Sequence, residues 1–129
     1  MTQATLIHFA LPSTPKQRRQ WNNPHGSALA LALAEAGQRH PGLVVVLTRD
    51  THSAHALESE IGVFASPDLE VLQFPDWETL PYDLFAPHPD IVSQRVATLH
   101  RLPGLNRGVL VVPIATLLQR LAPRSYISG

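Results

Sequence analysis

The sequence predicts an α/β domain built on a mostly parallel sheet. Leu43-Val-Val-Val-Leu-Thr48 and Gly108-Val-Leu-Val-Val-Pro113 are unbroken apolar runs rather than alternating ones, as strands covered on both faces require. Helical patterns separate the strand patterns, and alternating strands and helices favour a parallel sheet. Right-handed crossovers are then the default.

The elements follow in order. Residues 1–15 carry no clear pattern and are expected to be irregular. Arg18 to Asn22 is a faint candidate for a first strand. Ser27 to Arg39 is rich in alanine and leucine, strong helix formers, although Gly37 weakens its end; Ser27 is a candidate cap. After the strand 43–48, Thr48-Arg-Asp-Thr51 signals a helix start through Asp50 or Thr51. Ala54, Leu57, Ile61 and Phe64 then recur at helical spacing over His52 to Phe64. Leu69 to Phe74 reads as a shorter strand. Asp90 to Leu102 begins on an acidic cap candidate and aligns Ile91, Val92, Val96, Leu99 and Leu102 on one face. Pro103-Gly-Leu-Asn-Arg-Gly108 is a turn set by its proline and glycines. Ile114 to Leu121 reads as a short helix after the last strand.

At 129 residues the chain has the size of a single domain, spanning 1–129. Ten basic and ten acidic residues cancel, so the electrostatic footprint of a dedicated nucleic-acid binder is missing. Lys16, Arg18 and Arg19 form the one basic knot, and a solvated turn explains it more simply than a phosphate contact. With no cysteine, disulfides and thiolate metal sites are excluded. No apolar run approaches the roughly 20 residues that cross a bilayer, so a cytoplasmic location and no membrane partner are expected. Tyr126-Ile-Ser-Gly129 reads as a cut within a larger protein.

In an α/β sheet the turn into the first helix is where nucleotide phosphates are cradled. Here that turn is Asn23-Pro-His-Gly-Ser-Ala-Leu-Ala30. Laid over G-x-x-x-x-G-K-[ST], the two glycines become Asn23 and Ala28, the lysine becomes Leu29 and the hydroxyl residue becomes Ala30. Only Gly26 and the helix start remain. The lysine neutralises phosphate charge and the hydroxyl holds magnesium; leucine and alanine do neither. The expectation is a degenerate phosphate loop with no cofactor.

Between the third strand and the next helix lies Phe74-Pro-Asp-Trp-Glu-Thr-Leu-Pro-Tyr-Asp-Leu-Phe-Ala-Pro-His-Pro-Asp-Ile-Val-Ser-Gln-Arg95. Ordering such a connector costs roughly 1–2 kcal/mol per residue. Its prolines lower that cost by restricting the unfolded chain, and burial of Trp77, Tyr82 and Phe85 returns about 1.5–3 kcal/mol apiece. A docked connector is predicted, with Asp90 and Arg95 as structural partners and Asp76, Glu78 and Asp83 capping helices, holding Arg95 or facing solvent.

This connector, with Gly108-Val-Leu-Val-Val-Pro-Ile-Ala-Thr-Leu-Leu-Gln-Arg120, resembles the amino-terminal part of the bacterial transcription-repair coupling factors (Mfd). The match is dense from Val71 to Gly129 and a matter of pattern from Arg19 to Ile61. The resemblance implies the first part of a UvrB-like module: a RecA-like, three-layer domain whose phosphate loop has decayed. It further implies that ATP hydrolysis resides in distant domains, that UvrA is recruited by a neighbouring domain, and that RNA polymerase and DNA are engaged elsewhere in the parent. This segment would then be a non-catalytic scaffold packed against other domains of the same protein.

Two other readings stay open. Arg18, Arg19 and Arg49 offer a DNA-backbone contact of the kind a UvrB-like ancestor would use. A small nucleotide hydrolase with an unrecognised site is the enzymatic alternative. His52 and His55, with His25 and His88 near turns, lack the spacing of a zinc site, and no nucleophile–base arrangement has a local signature. No metal site and no catalytic residue are predicted.

Overall fold

The computed structural model describes residues 10–22, 26–76, 84, 86, 88–119, 121 and 125. Among these, three parallel strands form one sheet: β1 (Leu43–Thr48), β2 (Val71–Gln73) and β3 (Gly108–Pro113), in the order β1-β3-β2. The last strand in sequence is central, and its whole length is buried. β3 pairs with β1 from Leu43↔Gly108 to Thr48↔Pro113, and with β2 from Val71↔Val109 to Gln73↔Val111.

Among the described residues the sheet is accompanied by the α-helices α1 (Ser27–Arg39), α2 (Thr51–Phe64), α3 (Pro89–Arg101) and the one-turn α4 (Ile114–Leu117). Strand pleating sends alternate side chains to opposite faces. Val109 and Val111 therefore meet Ala30, Leu33 and Ala34 of α1 with Ala54 and Ile61 of α2, while Leu110 and Val112 meet Phe74, Leu99 and Leu102. Helices lie on both faces of a parallel sheet, as the apolar runs predicted. Each valine of β3 withdrawn from water contributes about 1.5–3 kcal/mol.

Several boundaries differ from expectation. Residues 18–22 form no strand; their one large apolar side chain, Trp21, packs on the α1–α2 core while its indole donates to Ala10 O at 3.1 Å. The β2 ladder is shorter than 69–74, and α4 ends at Leu117 rather than Leu121. Gly26, at φ +54°, occupies the cap of α1 and offers no side-chain bond, so Ser27 is the first helical residue and not the cap. Asp90 is likewise inside α3; His88 is the cap, its Nδ1 accepting from Asp90 N, with Pro89 supplying the preset φ of a first turn. Asp50 does cap α2, accepting from Ser53 N at 2.7 Å.

The inward face of α3 also departs from the apolar stripe. Arg95 and Thr98 are its buried residues, whereas Val92 and Val96 are exposed. Gly37 has a packing reason: a Cβ there would stand 2.6 Å from Val109 Cγ2 and 3.1 Å from Leu69 Cδ2. Gly37→Ala would gain up to about 1 kcal/mol of helix propensity but overpack β3 at a cost of about 1–3 kcal/mol. A net loss of stability in urea unfolding is expected; an unchanged or raised midpoint would refute the close-approach account.

Candidate functional site at the carboxyl edge of the sheet

Connectivity places the candidate edge. The carboxyl end of α1 leads into β1 and that of α3 leads into β3, while α2 starts where β1 ends. The amino termini of these three helices therefore lie at the carboxyl ends of the strands, where ligands bind in open α/β sheets. Gly26, Asp50 and His88 mark these starts.

The centre of this edge is occupied by side chains of the protein itself. Arg95 is 2% exposed, and its guanidinium lies 4.3 Å from the Phe74 ring centroid, a cation–π stack. Its Nη1 donates to Pro75 O at 2.6 Å and to Gln119 Oε1 at 3.2 Å. Gln119 Nε2 donates in turn to Asp76 Oδ1. Burial pushes the guanidinium below its usual value while the Asp76 carboxylate opposes that shift; arginine stays protonated at ordinary pH. Thr98 Oγ1 donates to Gln73 O at 2.9 Å, and Phe74 N donates to Val111 O at 3.2 Å. The root of the connector, Phe74–Asp76, is thus fastened to α3, β3 and Gln119, two residues past α4.

The positions aligned with the phosphate loop sit differently. Leu29 packs against the α1–α2 core, and Ala30 is fully buried in it. Gly26 lies at the helix start with open space around it. Ala28 is half-buried, and Asn23 lies outside the described residues. Around α2, Arg49 is 91% exposed and approaches Asp50 at 3.8 Å, a surface pair of little energetic weight. Arg18 and Arg19 are exposed on the segment before α1. His55 Nδ1 pairs with Gln73 Nε2 at 3.0 Å, and no group of three metal-ligating side chains gathers among the described residues. Two grooves of about 280 Å³ lie away from this edge. One is mixed in character, beside Gln38, Asp68, Leu69 and Arg107; the other is apolar, beside Trp21, Leu33 and Val44.

No family model matches the chain. Individual relatives do. It is 44% identical over 121 residues to the transcription-repair-coupling factor of Escherichia coli, an alignment covering 94% of this chain and 10% of that protein. The Haemophilus influenzae factor of the same name is 41% identical over 117 residues, covering 91% of this chain and 10% of that one. The Mycobacterium bovis factor is 34% identical over 109 residues, covering 78% and 8% respectively. The chain belongs to the transcription-repair coupling factor family. It spans about a tenth of the length of the curated relatives it matches.

Within this coupling-factor segment the expected site residues meet different fates. Arg95 is drawn into the buried node with Asp76. Asp90 is exposed in the first turn of α3, 3.6 Å from His88 Nδ1. Trp77, Tyr82 and Phe85, with Glu78, Asp83 and His25, lie outside the described residues. Sequence reasoning missed Phe74 and Gln119 as partners of Arg95, and missed the Arg101–Glu70 pair, whose Nε–Oε2 bond is 3.0 Å. These contacts join residues 20 or more positions apart, and no local spacing signals them. Among the described residues no helix is long and apolar enough to cross a membrane.

Removing the node tests its role. Arg95→Ala strips the stack and the bonds to Pro75 O and Gln119 together, and should lower stability by about 2–4 kcal/mol. A loss under about 0.5 kcal/mol, the range of ordinary surface changes, would reduce it to decoration. Asp50 offers a pH test. The backbone N–H of Ser53, then its hydroxyl, hold the Asp50 carboxyl below its ordinary 3.8. Its contribution is therefore complete above that value and disappears as pH falls through the lower folded value. Asp50→Asn keeps a cap that does not titrate, so its thermal midpoint should fall less than the native one on acidification from pH 6 to 3. Parallel acid profiles would contradict this.

Proposed function

We propose that this chain is a non-catalytic scaffold: the RecA-like first part of the UvrB-like module at the amino end of a transcription-repair coupling factor. In this reading the parent displaces RNA polymerase stalled at DNA damage and recruits UvrA through the domain that follows. The segment supplies the rigid body from which that neighbour is held and against which other domains pack.

One observation carries the reading. Where a working phosphate loop places a lysine and a hydroxyl, this chain has Leu29 and Ala30, both turned to the hydrophobic core. Neither neutralises a triphosphate nor holds magnesium. A bare helix terminus stabilises an exposed anion by only about 0.3–1 kcal/mol. The Arg95 node supports the same conclusion, because it fills the sheet's carboxyl edge with internal bonds rather than convergent polar groups around a cavity.

Calorimetric titration of the chain with ATP and magnesium should give no saturable heat in the micromolar range. Micromolar binding would overturn the scaffold reading and favour a nucleotide hydrolase. The exposure of Arg18, Arg19 and Arg49 supports a second reading, a weak DNA-backbone contact. That reading predicts a gel shift at low ionic strength that vanishes as salt rises; the scaffold reading predicts no shift at either salt concentration.

A further inference from the structure

Among the described residues the two faces of the sheet are unequally covered. Strands about 4.8 Å apart make a three-stranded sheet about 14 Å wide, room for two helices about 8–10 Å apart. On one face α1 and α2 fill both places, and their side chains enclose Val44, Val46, Val71, Val109 and Val111. On the other face α3 is the one long helix among the described residues, and it covers Leu72, Leu110, Val112 and Phe74. Leu43 reaches the margin of that second cluster, so by strand alternation Val45 and Leu47 point to the same face. They are 51% and 53% exposed, on a run that reads from sequence as a strand buried on both sides.

The orientation of α3 extends this strip. Arg101 is tied to Glu70, immediately before β2, so that flank of the helix faces β2. At 3.6 residues per turn, Val96 and Val92 lie about 140° and 180° around the helix from Arg101. They therefore project on the β1 side, where they are 50% and 37% exposed. This placement sets four exposed apolar side chains, Val45, Leu47, Val92 and Val96, toward one strip over β1, a trough as wide as the second helix place would be.

We propose that this trough is the seat of an amphipathic helix from elsewhere in the longer coupling-factor polypeptide, packed on β1 beside α3. The matched relatives are about ten times the length of this segment, so a tethered helix is available at high effective concentration. The trough's four apolar walls suit such a helix. The inference rests on the scaffold reading and names its docking surface; it can fail while the ATP titration still comes back negative, so the two failures are distinguishable.

Cysteine accessibility tests it, because the chain has no native cysteine. Leu47→Cys and Val96→Cys are placed in this chain and in the full-length polypeptide carrying it. Glu60→Cys, exposed on α2 at the opposite face, serves as control. Maleimide labelling is read peptide by peptide in a mass spectrometer. Expected are rates like the control's in the isolated chain, and at least tenfold slower labelling of positions 47 and 96 in the full-length protein, with the control within twofold. Rapid labelling of both positions in the full-length protein would overturn the proposal. Protection already present in the isolated chain would overturn it too, assigning the trough to a second copy if dilution removes the protection and to the segment's own termini if it does not.

Discussion

β3 has to be dry on both faces, and the rest of the architecture answers to that requirement. Its six residues are buried, its backbone is paired on either side, and its alternate side chains seed two separate hydrophobic clusters. A strand of this kind is unstable in water without partners, because its side chains gain nothing until helices close over them. The small residues of α1 and α2 follow from this need. Ala30, Ala34 and Ala54 bring helix backbones close to the sheet, and Gly37 lets α1 approach Val109 and Leu69 more closely than any side chain would permit.

The second face is closed with polar chemistry as well as apolar packing. Arg95 enters the protein with its charge, and a buried charge is tolerated only when stacked, bonded and paired. Phe74, Pro75, Gln119 and Asp76 do this together, and the consequence is geometric. The chain leaving β2 is held at its first three residues, before the proline-rich connector begins. Thr98 and Arg101 hold the same strand from further along α3.

At the carboxyl edge of the sheet the helix starts serve packing. The helix start at Gly26 and the capped start of α2 set α1 and α2 against one face of the sheet. Leu29 and Ala30, in the first turn of α1, add to the core on that face.

Much of this was legible in the amino-acid order. The apolar runs 43–48 and 108–113, the helices 27–39 and 51–64, the cap at Asp50 and the family resemblance all rest on local pattern. The absence of a lysine and a hydroxyl at Leu29 and Ala30 is likewise plain from residue identity. Local pattern erred where a distant group decided the outcome. The valines of α3 were aligned as its inner face, yet Arg95 took that place because Phe74, Pro75 and Gln119 wait for it across 20 or more residues. His88 displaced Asp90 as the cap because its imidazole reaches Asp90 N. The strand order β1-β3-β2 was equally out of reach, since which apolar run lies centrally depends on which helices cover it. Periodicity and residue identity determined what the pieces are and which chemistry they lack. Only the folded structure decided which faces meet, because burial is a property of neighbours brought together from far along the chain.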